Sequence, residues 1–551
     1  MLRLTKMVDD FRTKIAPYDL FDKLSGMLLS VLVLLSLCTF WHYGISYDEP
    51  IQRIYGKSVF NYYVSGLQDR SYEKMDGNMR YYGAAYDATV ETVINLIPMD
   101  RYMSRKLIGA LCGIFGIFGV CKLARHIGGP KAGFFAALLL AITPPYYGHM
   151  FINSKDIPFA VAYLWTVYFT IRMLYELPKL NRNTIIKLGV SMGLALGIRI
   201  GGLLLLCYIP LMLALWYGAS FAGLIPGLHE RLKTFFRLGL AAAASWGIAW
   251  VVMLVFWPWA QQSPFLRPIE SIGMFSSYPW IGPVLFQGRT LMSSNLPSSY
   301  IPVHLFYKLP EIFHVLALAS VGVLLHIISR AIRNTGNRVV LPVISLVVIV
   351  TAIVLPVGYL IVRHAIVYDE IRHIIFVYPL LAVLAGLTAA YIADHMPQFL
   401  VKIGAVAAIL ILLMPLITMI MLHPYQYAYY NTFAGGMKKA ATQFETDYWG
   451  LSYKETVEKF KRYMNVSGET NAKSVFIHGP IESAKYYLRN RYPIADEGHA
   501  DYLFVHYRLD GFNKFSGRDI VTVGRCGATF AVVRDRMDSN RTYPGRTDKA
   551  R

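Results

Sequence analysis

Apolar residues fall along this chain in long blocks, and the polar residues between them are bunched. The first block, MLLSVLVLLSLCTFW, runs from Met27 to Trp41. A helix that crosses a bilayer needs roughly 20 mostly apolar residues. Blocks of that kind lie near 24–42, 107–124, 132–148, 157–175, 187–198, 200–217, 237–257, 311–329, 339–362, 374–391 and 400–422. About eleven spans are therefore predicted. The stretch from Lys187 to Tyr217 is too long for one crossing and carries Gly-Ile-Arg-Ile-Gly-Gly in its middle, which predicts two helices hinged at Arg199. After His423 the pattern changes. A helix is expected near Tyr453–Met464, and SVFIHG, DYLFVHYR, DIVTVG and TFAVVRD read as short strands. Residues 423–535 are thus expected to form a small α/β domain, and 536–551 a disordered polar tail.

Composition agrees with the pattern: 55% hydrophobic and 16% charged residues in 551 exclude a soluble globular protein. The net charge of +20 raises the question of a nucleic-acid partner. In multi-pass proteins, however, Lys and Arg gather in cytoplasmic loops, so no nucleic acid is expected. With the N-terminus inside, Lys122, Arg125 and Lys131; Lys179, Arg182 and Lys187; Arg231, Lys233 and Arg237; and Arg330, Arg333 and Arg338 all fall on the cytoplasmic side. Arg3, Lys6, Arg12, Lys14 and Lys23 precede the first block, and no small-x-small cleavage site follows, so that block reads as a retained helix. The expected location is the inner (plasma) membrane, with the C-terminal domain extracytoplasmic. None of the five cysteines suggests a disulfide framework.

The same orientation puts 43–106, 149–156, Arg199, 258–310, 363–373 and everything after about 423 on the outer side. The loop 43–106 is long enough to hold interfacial helices, and 258–310 reads as a partly ordered lid. Candidate chemistry gathers on that side. Asp48 and Glu49, in HYGISYDEP, follow the first span; a carboxylate there can take a proton from an attacking hydroxyl, although solvated loop acids have the same pattern. In HMFINSKDIPFA, His149, Asn153, Lys155 and Asp156 crowd between two spans, where ionisable groups are costly. The bland alternative is a short loop with Asp156 as an N-cap. Arg199 offers a planar cation suited to phosphate, or a snorkelling interfacial side chain. In RHAIVYDEIRHIIFVYP, Arg372 and His373 are expected at the start of the next helix, where free N–H groups add to an anion site; a basic interfacial belt is the alternative.

NSKDIP, YDEIRHIIFVYP, HPYQYAYYNTFAGG and FETDYWG, in that order behind an N-terminal helix ending in Asp-Glu, resemble the dolichyl-phosphate-mannose protein mannosyltransferase-like family of GT-C glycosyltransferases, relatives of the lipid A aminoarabinose transferase. The resemblance implies a polytopic α-helical membrane protein of GT-C architecture with a small extracytoplasmic α/β domain. It implies transfer of a sugar from a polyprenyl-phosphate donor to a hydroxyl on a protein, lipid or glycan, by one in-line displacement with inversion. Asp48 would be the catalytic base and Glu49 would shape the acceptor site. Asn153, Lys155 and Asp156 would lie near the donor, with Arg199, Arg372 and His373 as phosphate contacts. Tyr425, Tyr430, Asn431, Asp447 and Trp449 stand either in an interfacial aromatic belt or in a sugar- or acceptor-docking surface.

No cofactor or metal is expected, since no His and carboxylate cluster has zinc spacing. Asp369 and Glu370 are read as ion-paired to Arg363 or Arg372 in preference to holding a cation. A transporter or flippase would place charges in mid-membrane and repeat its halves; here the ionisable residues gather at one face. A membrane-anchored binding protein would leave Asn153, Lys155, Asp156, Arg372 and His373 without a task, and an envelope-glycan ligase is the alternative within the enzyme class.

Overall fold

The computed structural model describes residues 19–536 apart from 76, 97–98, 178, 220–227, 277–279, 334–339 and 468–472. The N-terminal basic residues up to Lys14, Arg338 and the polar tail beyond 536 lie outside the described residues. Helix α1 (Leu20–Thr39) starts in a capping box, in which Asp19 and Asp22 each satisfy the other's backbone N–H. Two short helices follow, α2 (Glu49–Val64) and α3 (Ala85–Ile94).

Helix α4 (Arg101–Ala141) is 41 residues long and breaks at Gly129, where φ is 83° before Pro130. Its halves fold back on each other. A Cβ placed on Gly133 would lie 2.9 Å from the carbonyl oxygen of Cys121, whereas twelve residues of straight helix span about 18 Å. The positive φ at this glycine thus turns α4 back on itself. Glycines also bring its first half against α5 (Pro144–Ile152): a Cβ on Gly109 would meet the Met150 carbonyl oxygen at 2.7 Å.

α6 (Asp156–Tyr175) is the central helix and is buried along almost its whole length. The remaining helices of the bundle are α7 (Arg182–Leu196), α8 (Tyr208–Ala219), α9 (Leu228–Val255), α10 (Tyr300–Lys308), α11 (Glu311–Arg333), α12 (Val340–Val362), α13 (Tyr378–His395) and α14 (Gln398–Leu422), of which α7, α8, α12 and α13 pack directly on α6. Among the described residues eight helices are long and apolar enough to cross a membrane, or nine when the bent pair α10 and α11 counts as one span. Each of the eleven apolar blocks of the sequence contains helix. Arg199 lies in extended backbone (φ −139°, ψ 130°) between α7 and a 3-10 turn at Ile200–Cys207, so the expected hinge is there. The chain is a multi-pass membrane protein.

Between α9 and α10 the chain forms helix Leu266–Ser276 and a hairpin of β1 (Pro283–Phe286) and β2 (Arg289–Met292). After α14 come α15 (Tyr453–Val466), β3 (Val475–His478), α16 (Ile481–Leu488), β4 (Tyr502–His506), β5 (Arg518–Arg525) and β6 (Ala528–Asp535). The sheet order is β3-β4-β6-β5, with only β3 and β4 parallel. All four expected strands are present, and α15 lies on the expected helix.

Candidate functional site

Three connections meet at the end of the helical bundle that carries the C-terminal domain. The first leads from α1 into α2. Asp48 stands at the N-cap of α2 without using its side chain as a cap. That leaves the carboxylate free to accept from Arg372 Nη2 at 2.9 Å, and 25% of the side chain is exposed. Glu49 turns the other way. It is buried against Lys106 Nζ at 3.0 Å, so the two adjacent acids serve different partners.

The second connection is the turn between α5 and α6. Asn153 Oδ1 accepts from the backbone N–H groups of Lys155 (3.2 Å) and Asp156 (2.8 Å), while its amide donates to the Asp156 carboxylate at 2.9 Å. Asp156 is therefore the first residue of α6 and not its N-cap; Lys155 holds that position, and the Asn153 side chain satisfies the N–H groups of both. Freed from capping, the Asp156 carboxylate pairs with Arg199 and lies 3.6 Å from Arg372 Nε. His149 is buried between Asn153 and the Tyr448 hydroxyl, and burial brings its pKa down to about 3, so the ring is neutral. Lys155 has no carboxylate in ion-pair contact among the described residues; its ammonium sits 3.8 Å from the centre of the Tyr82 ring. Burial pushes its pKa down to about 8, reinforced by Arg199 and Arg372 and opposed by Asp48.

The third connection joins α12 to α13. Asp369 and Glu370 both adopt left-handed backbone, φ 56° and 60°, a conformation that costs about 1–3 kcal/mol for each such residue. Their side chains diverge. Asp369 binds Arg372 Nη1 at 2.7 Å and Arg508 Nη2 at 2.8 Å, while Glu370 pairs with Lys308 and accepts from the Tyr430 hydroxyl at 2.9 Å. The expected ion pair with Arg372 is present, and Arg363 is exposed. The left-handed pair also delays the next helix. A 3-10 turn covers Ile375–Val377 and α13 starts only at Tyr378, so Arg372 and His373 do not stand at a helix start as expected. Burial, with Arg372 and Arg199 beside it, holds the His373 pKa well below the usual imidazole range.

Arg372 is the hub. Its guanidinium contacts Asp48, Asp156 and Asp369 and lies over the Tyr368 and Trp449 rings at 5.3 and 5.1 Å. Tyr425, Tyr430, Asn431, Asp447 and Trp449 are interior. The Tyr425 hydroxyl donates to Glu455, and Asn431 Nδ2 donates to the carbonyls of Phe306 and Leu309. Asp447 accepts from the N–H groups of Leu451 (2.9 Å) and Ser452 (3.0 Å). None of the five presents a face to solvent. They tie α10, the end of α14 and the C-terminal domain together.

Arg508 was not marked by any sequence pattern. It follows β4 in the C-terminal domain and donates to Asp369, to Glu445 Oε1 at 3.0 Å and to the Tyr448 carbonyl at 3.1 Å. Lys308, buried at the end of the apolar stretch YIPVHLFYK, carried a readable signal, a lone cation where a cation is expensive, whereas buried Lys106 follows Arg105 and reads as part of a basic flank. Among the described residues no group of three or more His, Cys, Asp or Glu is placed to hold a metal ion.

The turn at Asn153–Asp156 and the Arg199 hinge both lie in the part of the chain that a family description covers. Residues 90–221 match the family model of dolichyl-phosphate-mannose-protein mannosyltransferase. The matched stretch holds Asn153, Lys155, Asp156 and Arg199, whereas Asp48 and Arg372 fall outside it. No curated protein matches. Similar solved structures include ArnT from Cupriavidus metallidurans bound to undecaprenyl phosphate, 13% identical, covering 92% of this chain and 97% of its own, with a TM-score of 0.47. ArnT in the apo state is 15% identical, with coverage of 93% and 97% and a TM-score of 0.46. The archaeal oligosaccharyltransferase AglB from Archaeoglobus fulgidus, in complex with an inhibitory peptide and a dolichol-phosphate, is 12% identical, with coverage of 89% and 70% and a TM-score of 0.46. At that identity no substrate or residue role passes from these proteins to this chain.

Proposed function

We propose that this chain is an integral membrane glycosyltransferase of the GT-C type, moving a sugar from a polyprenyl-phosphate carrier to an acceptor hydroxyl on the extracytoplasmic face. The observation that carries the reading is a partly exposed carboxylate, Asp48, paired to Arg372 in a cluster that also holds Arg199 and Lys155, the last with no carboxylate in ion-pair contact among the described residues. An anionic phosphate entering between Lys155, Arg199 and Arg372 would supply that partner. Arg199 adds an exposed edge, with 20% of its side chain accessible.

The chemistry follows from the placement. The acceptor oxygen attacks the anomeric carbon, the bond from that carbon to the phosphate oxygen breaks, and the electron pair leaves with the polyprenyl phosphate. The acceptor proton passes to the Asp48 carboxylate. Lys155, Arg199 and Arg372 stabilise the charge that grows on the leaving phosphate. A single displacement of this kind inverts the anomeric centre. Glu49 holds the Asp48 segment to α4 through Lys106.

The test is transfer by the purified protein from a pool of polyprenyl-phosphate sugars to envelope acceptors, with Lys155→Met and Arg199→Ala alongside. The reading expects transfer by the wild type and a raised donor KM in both variants. Absence of transfer with every lipid-phosphate donor, or variants with unchanged donor KM, would overturn it.

A further inference from the structure

We infer that Arg508 is a positioning residue for the proposed transfer: the C-terminal domain reaches through it into the charge cluster and sets how Arg372 is shared between Asp369 and Asp48. The inference rests on the reading of Asp48 as the base. It starts from an unbroken line of ion pairs. Arg508 Nη2 binds Asp369 Oδ1 at 2.8 Å, Asp369 Oδ2 binds Arg372 Nη1 at 2.7 Å, and Arg372 Nη2 binds Asp48 Oδ2 at 2.9 Å. The two oxygens of Asp369 thus face two different guanidinium groups, one from each domain.

The physical consequence lies in how one cation divides among three anions. Arg372 faces Asp48, Asp156 and Asp369 at once. Arg199 partly neutralises Asp156, and Arg508 partly neutralises Asp369. Without Arg508 the full charge of Asp369, buried at 4% side-chain exposure, would fall on Arg372. Attraction between charges at this range is weakly screened in partly buried surroundings, and it would draw the guanidinium toward Asp369 and away from Asp48 and the donor phosphate.

The local backbone fits such a role. Arg508 is followed by Leu509 and Asp510 in left-handed conformation (φ 59° and 57°), as Asp369 is followed by Glu370. Two strained turns, one from each domain, are held face to face by this ion pair. Arg508 is further fixed by Glu445 Oε1 at 3.0 Å and by the Tyr448 carbonyl. Both fixing groups belong to the segment that links α14 to the C-terminal domain, so the guanidinium reports whether that domain is seated.

The experiment measures kcat and KM for sugar transfer in Arg508→Ala and Arg508→Lys, each in the wild-type and the Asp48→Asn background, with thermal melts on all. Displacement of a reacting group by about 1 Å costs on the order of a hundredfold in rate. We therefore expect Arg508→Ala to lower kcat by about tenfold to a hundredfold, with acceptor KM little changed. Arg508→Lys keeps the charge but cannot span Asp369 and Glu445 with a planar fork, and should recover part of the loss. In the Asp48→Asn background the Arg508→Ala effect should shrink, because Arg372 then has only the donor phosphate left to serve. Wild-type kcat in a folded Arg508→Ala protein, or an equal loss in both backgrounds, would overturn the inference. Should Arg508→Ala fail to fold, Arg508→Gln removes the same charge while keeping a polar side chain beside Asp369, and the same two outcomes decide. Unchanged transfer by Asp48→Asn alone would sink the base reading itself, a result separate from either.

Discussion

Methionine in place of Lys155 keeps an unbranched side chain one heavy atom shorter and removes its charge. In the wild-type chain, burial takes the ammonium from the ordinary 10.5 down to about 8. At about 1.4 kcal/mol for each tenfold change in proton affinity, keeping it charged costs the fold about 3 kcal/mol. Set against this is the contact with the Tyr82 ring at 3.8 Å, a kind worth about 0.5–2 kcal/mol. Lys155→Met is therefore expected to stabilise the protein by about 1–3 kcal/mol while weakening donor binding. The sign with pH follows from linkage. Between about pH 8 and 10.5 the folded chain binds fewer protons at this position than the unfolded chain, so wild-type stability rises across that window. The advantage of the variant should be full below pH 8 and fade toward pH 10.5. Paired thermal melts in detergent, stepped from pH 7 to 10, measure it. A variant that melts below wild type at pH 7, or a gap that does not narrow as pH rises, would refute the reasoning.

Three further outcomes are expected. Lys106→Met strands Glu49 in the interior; that should cost about 3–5 kcal/mol, most of it recovered when Glu49→Gln is added, and a single variant as stable as wild type in melts would count against the buried pair. Gly56→Ala puts a Cβ 2.7 Å from the Asp87 carbonyl oxygen, where α2 crosses α3, whereas at Gly26 nothing lies within 4 Å. The first should lose about 1–3 kcal/mol and the second melt like wild type. Glu370 is pushed up to about 8 by burial, opposed by Lys308 and Tyr430; with the folded pKa above the unfolded one, its contribution is present below about pH 4.5 and lost as pH rises through 8. Melting temperatures between pH 5 and 8 should then fall less in Glu370→Gln than in wild type, and equal slopes would contradict the assignment.

The helices were legible in the sequence because bilayer-length apolar blocks are a one-dimensional signal, and the four strands because alternation and β-branched residues mark them. The Asn153–Asp156 turn was legible for a related reason: ionisable groups between two spans are conspicuous. What the pattern could not carry was partnership. Asp48 and Glu49 are neighbours in the chain, yet one faces Arg372 and the other Lys106, 324 and 57 residues away. Tyr430 and Trp449 have the composition of an interfacial belt, but their surroundings are set by α10 and the C-terminal domain, and they end up interior. The late start of α13 depends on two left-handed residues that are not glycine, a conformation with no strong signature in residue type. Arg508 is one more basic residue at the end of a strand until the tertiary fold brings it to Asp369.

The central claim is that Asp48 takes the acceptor's proton. It is tested most directly by the rate of sugar transfer from a polyprenyl-phosphate donor in Asp48→Asn against wild type, on protein shown by melting to be folded. Asparagine keeps the shape and a hydrogen-bonding oxygen toward Arg372 while removing the basic carboxylate. The account predicts a fall in kcat of about a hundredfold or more with donor KM close to wild type. A folded Asp48→Asn protein that transfers sugar at the wild-type rate would contradict it.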